Sequence, residues 1–357
     1  MRARGAVALA IAGLVALASC SSGTVAPAAP TAGPSSTRGP AVAAPVPWTT
    51  TAPGDPFVVA LDVPAPSLAG NLLHDPTQRR VVVTLPPSYF TSDARYPVVY
   101  FLEGIGTAAG QLAGSQASFA RQMLAPGGRQ FLVVEADGID SLGANFYANS
   151  PVGGNMADFV SHDLVAAIDA SFRTLPERTA RALAGFSMGG LGTVNIGLAH
   201  PDVFGSLYAL SPPLATPRTD LATLGVDAGT NDSYAATFSP DPTATAPPFA
   251  RTLRPGVPSS DQDPAVVAAY ERGMGDLAEK VAAYLAQPDR LSHVRLSYGE
   301  WDGYAFIPVG CTYLAGLLAA AGIPHSLRTF GGPHTIDQAF LDADFVGYFS
   351  QQLAGAG

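Results

Sequence analysis

The stretch Arg181-Ala182-Leu183-Ala184-Gly185-Phe186-Ser187-Met188-Gly189-Gly190 decides how the rest of the chain is read. Arg181 to Ala184 has the length and composition of a buried strand, and Gly190 to Ala199 reads as a helix. Between them lies G-x-S-x-G, from Gly185 to Gly189. In a strand-to-helix turn this tight the serine must be flanked by small residues. Its hydroxyl then stands above the sheet edge, and the next backbone N–H is free to bind an oxyanion. Ser187 is the expected nucleophile, and Met188 N–H the first expected oxyanion donor.

Working outward, short apolar runs alternate with helix-length amphipathic segments, which predicts a mostly parallel sheet flanked by helices. Strands are expected at Arg80–Leu85, Tyr96–Leu102, Gln130–Glu135, Ser206–Leu210, Val294–Tyr298 and Ser326–Phe330. Helices are expected at Asp158–Phe172, Ala265–Leu285, Val309–Ala321 and Ile336–Leu353. Pro212 to Pro264 holds ten prolines in 53 residues and shows no regular period, so it reads as an insertion in the fold.

A serine hydroxyl needs a base within hydrogen-bond reach and an acid to orient that base. With G-x-S-x-G the chain order is serine, acid, histidine. The chain has six histidines. His74 and His162 precede the serine, His200 ends the following helix, and His293 and His325 begin strands. His334, on the loop Gly331-Gly332-Pro333-His334-Thr335 after the last strand, is the expected base. The acid belongs on the loop after the preceding strand, where Gly299-Glu300-Trp301-Asp302 offers two carboxylates. A second oxyanion donor is expected from the loop Glu103-Gly104-Ile105-Gly106, as Ile105 N–H, because its glycines allow backbone geometries other residues resist.

The chain resembles the putative esterase family of α/β hydrolases, which includes esterase D, feruloyl esterases and mycolyltransferases. The likeness rests on Leu85-Pro86-Pro87-Ser88-Tyr89 followed by Tyr96-Pro97-Val98-Val99-Tyr100, and on Asn145 to Ser150 with Asp158-Phe159-Val160. It is closest at Ala184 to Gly190 and His200-Pro201-Asp202-Val203-Phe204. The resemblance implies an α/β-hydrolase fold and a serine carboxylesterase acting through an acyl-enzyme. It also implies that Asp302 rather than Glu300 is the acid, since members commonly carry G-x-x-D there. Acyl transfer to a sugar or lipid hydroxyl, and a non-catalytic binding module, are the alternatives. Many members have His-Gly where this chain has Glu103-Gly104, a change that places a carboxylate near the expected oxyanion hole.

Composition narrows partners and compartment. The 357 residues carry 19 basic and 28 acidic side chains, net −9, and Lys280 is the single lysine, so no basic stripe exists to hold nucleic acid. No metal-ligand motif or cofactor signature is present, and none is expected. Arg2 and Arg4 precede an apolar run from Ala6 to Ala18, the layout of an export signal. Leu17-Ala18-Ser19-Cys20 resembles the bacterial lipoprotein box, so Cys20 is the expected lipidated residue and the cell membrane the expected anchor. Residues 1–19 are thus expected to be a signal, 20–56 a disordered Pro/Ala/Ser/Thr-rich tether and 57–357 the folded domain. The other cysteine, Cys311, lies in an apolar stretch and is expected to be a buried small residue.

Overall fold

Strand Arg181–Phe186 runs near the middle of a nine-stranded sheet. The structure, a computed structural model, describes residues 43–52, 55–224, 228–336 and 338–354. Cys20 lies outside the described residues, as does the expected signal.

In chain order the strands are β1 (Thr49–Ala52), β2 (Asp55–Pro64), β3 (Gln78–Thr84), β4 (Val98–Leu102), β5 (Leu132–Ala136), a small ribbon of β6 (Asn149–Ser150) and β7 (Gly154–Asn155), β8 (Arg181–Phe186), β9 (Ser206–Leu210), β10 (His293–Gly299) and β11 (His325–Phe330). The large sheet has the order β1-β2-β3-β5-β4-β8-β9-β10-β11. From β5 to β11 every pairing is parallel, and β1, β2 and β3 add an antiparallel edge. The helices are α1 (Gln116–Met123), α2 (Met156–Asp158), α3 (Leu164–Ser171), α4 (Met188–Ala199), α5 (Ala228–Phe238), α6 (Pro264–Met274), α7 (Leu277–Leu285), α8 (Phe306–Ala320) and α9 (Gln338–Gln352).

Strands β4, β5 and β9 are buried at every residue, which explains why their sequences read as continuous apolar runs rather than alternations. One sheet face packs under α3, α4, α7 and α8, through residues such as Ile168, Leu191, Val281 and Leu314. The other packs under α1 and α9, where Phe101, Phe119, Phe345 and Phe349 build an aromatic cluster. No helix among the described residues is long and apolar enough to cross a membrane.

Several boundaries differ from the sequence reading. The expected domain start at residue 57 falls inside β2, and β1 lies wholly within the expected tether. Trp48 stacks on Phe172, and Val46 N–H donates to Ser171 Oγ. Proline is tolerated at such a sheet edge, so its density there does not mark disorder. The expected helix Ala265–Leu285 is two helices: Gly275 breaks it with φ −100° and ψ −149°, and Asp276 follows at φ 51°. The expected helix Asp158–Phe172 opens with a π turn over Phe159–Asp163 before α3. The Pro-rich insertion, which showed no period, contains α5, whose Tyr234 ring packs against Phe146, Phe238 and Tyr270. Helix α1 was also not expected from the sequence. Cys311 is fully buried, and burial pushes its thiol well above the ordinary range.

Candidate active site

The connection from β8 to α4 holds Ser187 at φ 53° and ψ −117°, a backbone conformation that L residues adopt only when the surroundings enforce it. The turn is forced by close packing. A Cβ on Gly189 would lie 1.9 Å from the Leu102 carbonyl oxygen, and one on Gly185 would lie 2.4 Å from that of Gly189. Ser187 N–H donates to the Leu210 carbonyl at 2.9 Å, tying the turn to the end of β9. The serine sits at the carboxyl end of β8. There the strand order reverses, β5 lying on one side of β4 and β8 on the other, which is where open α/β sheets form a crevice.

The loops after β10 and β11 meet that turn. Ser187 Oγ lies 2.8 Å from His334 Nε2, and His334 Nδ1 lies 2.8 Å from Asp302 Oδ2. The Asp302 side chain is fully buried, and its other oxygen, Oδ1, accepts the Tyr304 N–H at 2.9 Å. Both carboxylate oxygens are therefore engaged. Glu300 instead accepts from Thr329 Oγ1 at the exposed sheet edge, so the structure brings Asp302, not Glu300, to the imidazole. The remaining histidines stand elsewhere: His74 on a turn closed by its N–H to the Asn71 carbonyl, His162 against His200, His293 beside Tyr348, and His325 on the Ile323 carbonyl.

Two aromatic rings hold the imidazole in place. Phe186 lies 5.0 Å from it, centroid to centroid and tilted, and Tyr304 meets it edge-on at 4.9 Å. Neither was singled out by sequence reasoning, because the variable position of G-x-S-x-G and a loop tyrosine carry no signal of their own.

The expected second donor lies on a tight turn after β4. Thr107 N–H donates to the Gly104 carbonyl at 3.2 Å, and Gly106 takes φ 69°, the left-handed position such a turn requires. Below the turn, the Tyr147 hydroxyl is 3.0 Å from the carbonyls of both Glu103 and Ala136. Met188 opens α4, where the first N–H groups have no intrahelical acceptor. Ile105 and Met188 line one cavity of about 460 Å³ with Ser187 and His334. Its other walls are Phe146, Phe186, Pro213, Met274, Tyr304, Phe306 and Ile307, with Thr107 and Thr230 as polar points. Apart from His334 and the Tyr304 phenol, no lining side chain is ionisable. Pro213 and Thr230 come from the Pro-rich insertion, which thereby completes the cavity wall.

Glu103, at the start of this turn, does not line the cavity. Its carboxylate is fully buried, and Oε1 accepts the N–H groups of Gly110 and Gln111, both at 3.1 Å, instead of facing the cavity.

The family model described as "Putative esterase" matches residues 75–267. Over 143 residues the chain is 34% identical to Esterase MT1326 of Mycobacterium tuberculosis (strain CDC 1551 / Oshkosh), covering 39% of this chain and 30% of that protein. Esterase Rv1288 of strain ATCC 25618 / H37Rv matches over the same extent, so the chain spans about 30% of the length of these curated relatives. Among solved structures, a ferulic acid esterase aligns with TM-score 0.57 at 20% identity, covering 83% of this chain and 98% of that one. An S-formylglutathione hydrolase from Agrobacterium tumefaciens aligns with TM-score 0.56 at 17% identity, covering 87% and 100%. At those identities the likeness is one of fold, the mostly parallel sheet and flanking helices of the α/β hydrolases. The family match extends over more than half of the chain and includes the Ser187 turn: the chain belongs to the putative esterase family.

Proposed function

We propose that the protein is an exported, lipid-anchored serine carboxylesterase that works through an acyl-enzyme. The observation that carries this reading is the unbroken hydrogen-bonded series from Ser187 through His334 to Asp302 beside an apolar cavity. Ser187 Oγ attacks the ester carbonyl carbon while its proton passes to His334 Nε2. Asp302 holds the imidazole with Nδ1 protonated and stabilises the imidazolium. The carbonyl electron pair collects on oxygen, where the N–H groups of Ile105 and Met188 bind it. As the tetrahedral intermediate collapses, the bond to the leaving alkoxide breaks and His334 returns the proton to it. Water, deprotonated by the same imidazole, then attacks the acyl carbon and releases the acid and Ser187.

The uncharged aromatic and aliphatic walls support a neutral acyl group rather than a charged one. The export layout of residues 1–19 and the cysteine at position 20 support attachment to the outer face of a bacterial membrane. Hydrolysis of p-nitrophenyl acetate and butyrate by the wild type and by Ser187→Ala tests the assignment. Turnover should be lost in the variant, and undiminished turnover would defeat the reading. Adding trehalose or glycerol as acceptor should leave free acid as the main product; a dominant acyl-acceptor ester would make the enzyme a transferase.

A further inference from the structure

Behind the Gly104–Thr107 turn lies a second pair of acids that the reaction does not use. Glu103 and Glu135 are both fully buried. Phe101 of β4 is paired in register with Glu135 of β5, so Glu103, two residues further on, projects from the same sheet face as Glu135. Their outer oxygens hold backbone. Glu103 Oε1 takes the N–H groups of Gly110 and Gln111, and Glu135 Oε2 takes that of Leu112 at 2.6 Å. Their remaining oxygens, Glu103 Oε2 and Glu135 Oε1, are buried, and among the described residues no N–H or O–H donor reaches them. Two neighbouring buried carboxylates would repel strongly if both were charged, and a single proton held between them would give both remaining oxygens a partner.

We propose that Glu103 and Glu135 share one proton, and that this pair is a positioning element that closes the base of the loop from Gly104 to Ala109 and so fixes Ile105 N–H beside Ser187. The inference rests on the esterase reading for its effect on rate, though not for the pair itself. The geometry is that of a clip: the residue that starts the loop grips, through its own side chain, the two N–H groups that end it. Gly110 takes φ 111° there, and a Cβ would lie 3.3 Å from Val82.

The other ionisable groups near the pair do not supply a counter-charge. Asp137 and Arg79 pair with each other at the ends of β5 and β3, and the Tyr147 hydroxyl is occupied by two carbonyls. Helices α1 and α9 cover this face through Phe119, Leu341 and Phe345. Of their charged residues, Arg121 is solvent-exposed, Asp342 accepts from Gln338, and Asp344 is paired with Arg295. Burial raises Glu103 to about 9, and the neighbouring Glu135 charge adds to the rise, against the pull of the Gln111 and Gly110 N–H groups. Burial likewise raises Glu135, to about 7, opposed by the Leu112 N–H. Because the folded values lie above the unfolded ones, the pair's contribution to stability is complete below the ordinary glutamate range and is lost as pH rises through the folded values.

The test is the alkaline side of the pH profile. A neutral imidazole base stays active at high pH, so the triad alone gives a plateau there. Loss of the shared proton instead lowers wild-type kcat/KM by about tenfold per pH unit above its titration. In Glu135→Gln the amide N–H holds the Glu103 carboxylate at any pH, so the decline should be absent relative to that variant's own value at pH 7. A purely structural role would leave the shape of the profile unchanged, and a decline that persists in Glu135→Gln overturns the proposal. A second measurement needs no activity. The chain has six glutamates, and in the full chain labelled with 13C at the glutamate carboxyl, the signal lost in Glu103→Gln should titrate above neutral pH. Titration of that signal in the ordinary carboxylate range overturns the pair even if that variant is poorly folded or the profile is ambiguous. Alkaline titration in a protein that hydrolyses no ester would leave the pair standing and defeat the esterase reading instead.

Discussion

Gly299 and Gly332 lie backbone against backbone: a Cβ on Gly299 would fall 2.3 Å from the Gly332 carbonyl oxygen and 2.5 Å from that of Pro333. This contact joins the loop that carries Asp302 to the loop that carries His334. The Trp301 N–H reinforces it by donating to the Gly332 carbonyl at 3.0 Å. The register of Asp302 and His334 is therefore set by main-chain packing at the ends of β10 and β11, not by the two side chains alone.

Gly299→Ala should force these loops apart. A displacement near 1 Å at a reacting group costs about 100-fold in rate, so kcat should fall by roughly that factor while the far-ultraviolet circular dichroism stays native. Unchanged kcat would show that the contact does not set the geometry.

The two carboxylates of the β10 loop should separate cleanly. Asp302→Asn leaves the imidazole with the wrong tautomer and should lower kcat by about 10³–10⁴-fold, by analogy with the serine-protease template. Glu300→Gln alters an exposed side chain that accepts from Thr329 Oγ1, and should change kcat by less than about threefold, as surface substitutions do. Steady-state kinetics on a p-nitrophenyl ester distinguishes the two, and the reverse ranking would reassign the acid.

Stability carries its own pH signature at Asp140. Burial raises this carboxyl to about 6, the Leu142 N–H pulling the other way and the Asp75 charge adding to the rise. A folded value above the unfolded one means stability that is complete in acid and lost as pH climbs through 6. Asp140→Asn removes that loss while keeping an acceptor for Leu142. Its melting temperature relative to wild type should therefore be higher at pH 8 than at pH 5, by about 2–4 °C for each kcal/mol recovered. An offset independent of pH contradicts this.

The proposed attachment through Cys20 predicts a simple fractionation result. In a bacterial host the full chain should partition with the membrane, and Cys20→Ser should leave it in the soluble exported or unprocessed fraction. Equal partitioning of the two would remove the anchor.

The legible parts of this molecule are those written locally. The Ser187 turn is readable because glycines at 185 and 189 have a steric reason to be there, and the central strands because parallel strands buried on both faces leave apolar runs. His334 followed from elimination among few histidines, but Asp302 could be preferred to Glu300 only through resemblance, since both sit on one exposed-looking loop. What the sequence hides is what depends on pairing between distant segments. Glu103 and Glu135 come together only through the register of β4 on β5, and Phe186 and Tyr304 only when two loops bracket one imidazole. The edge strand β1 and helix α5 were hidden for another reason: proline-rich surroundings suppress the periodicity by which an element is recognised.

The most direct measurement is labelling of the purified full chain with a fluorophosphonate, followed by peptide mapping by mass spectrometry. The account predicts one covalent phosphonate on Ser187, formed by the wild type and lost in Ser187→Ala and His334→Ala. Absence of any adduct in a folded wild type, or an adduct on another residue that survives Ser187→Ala, would contradict it.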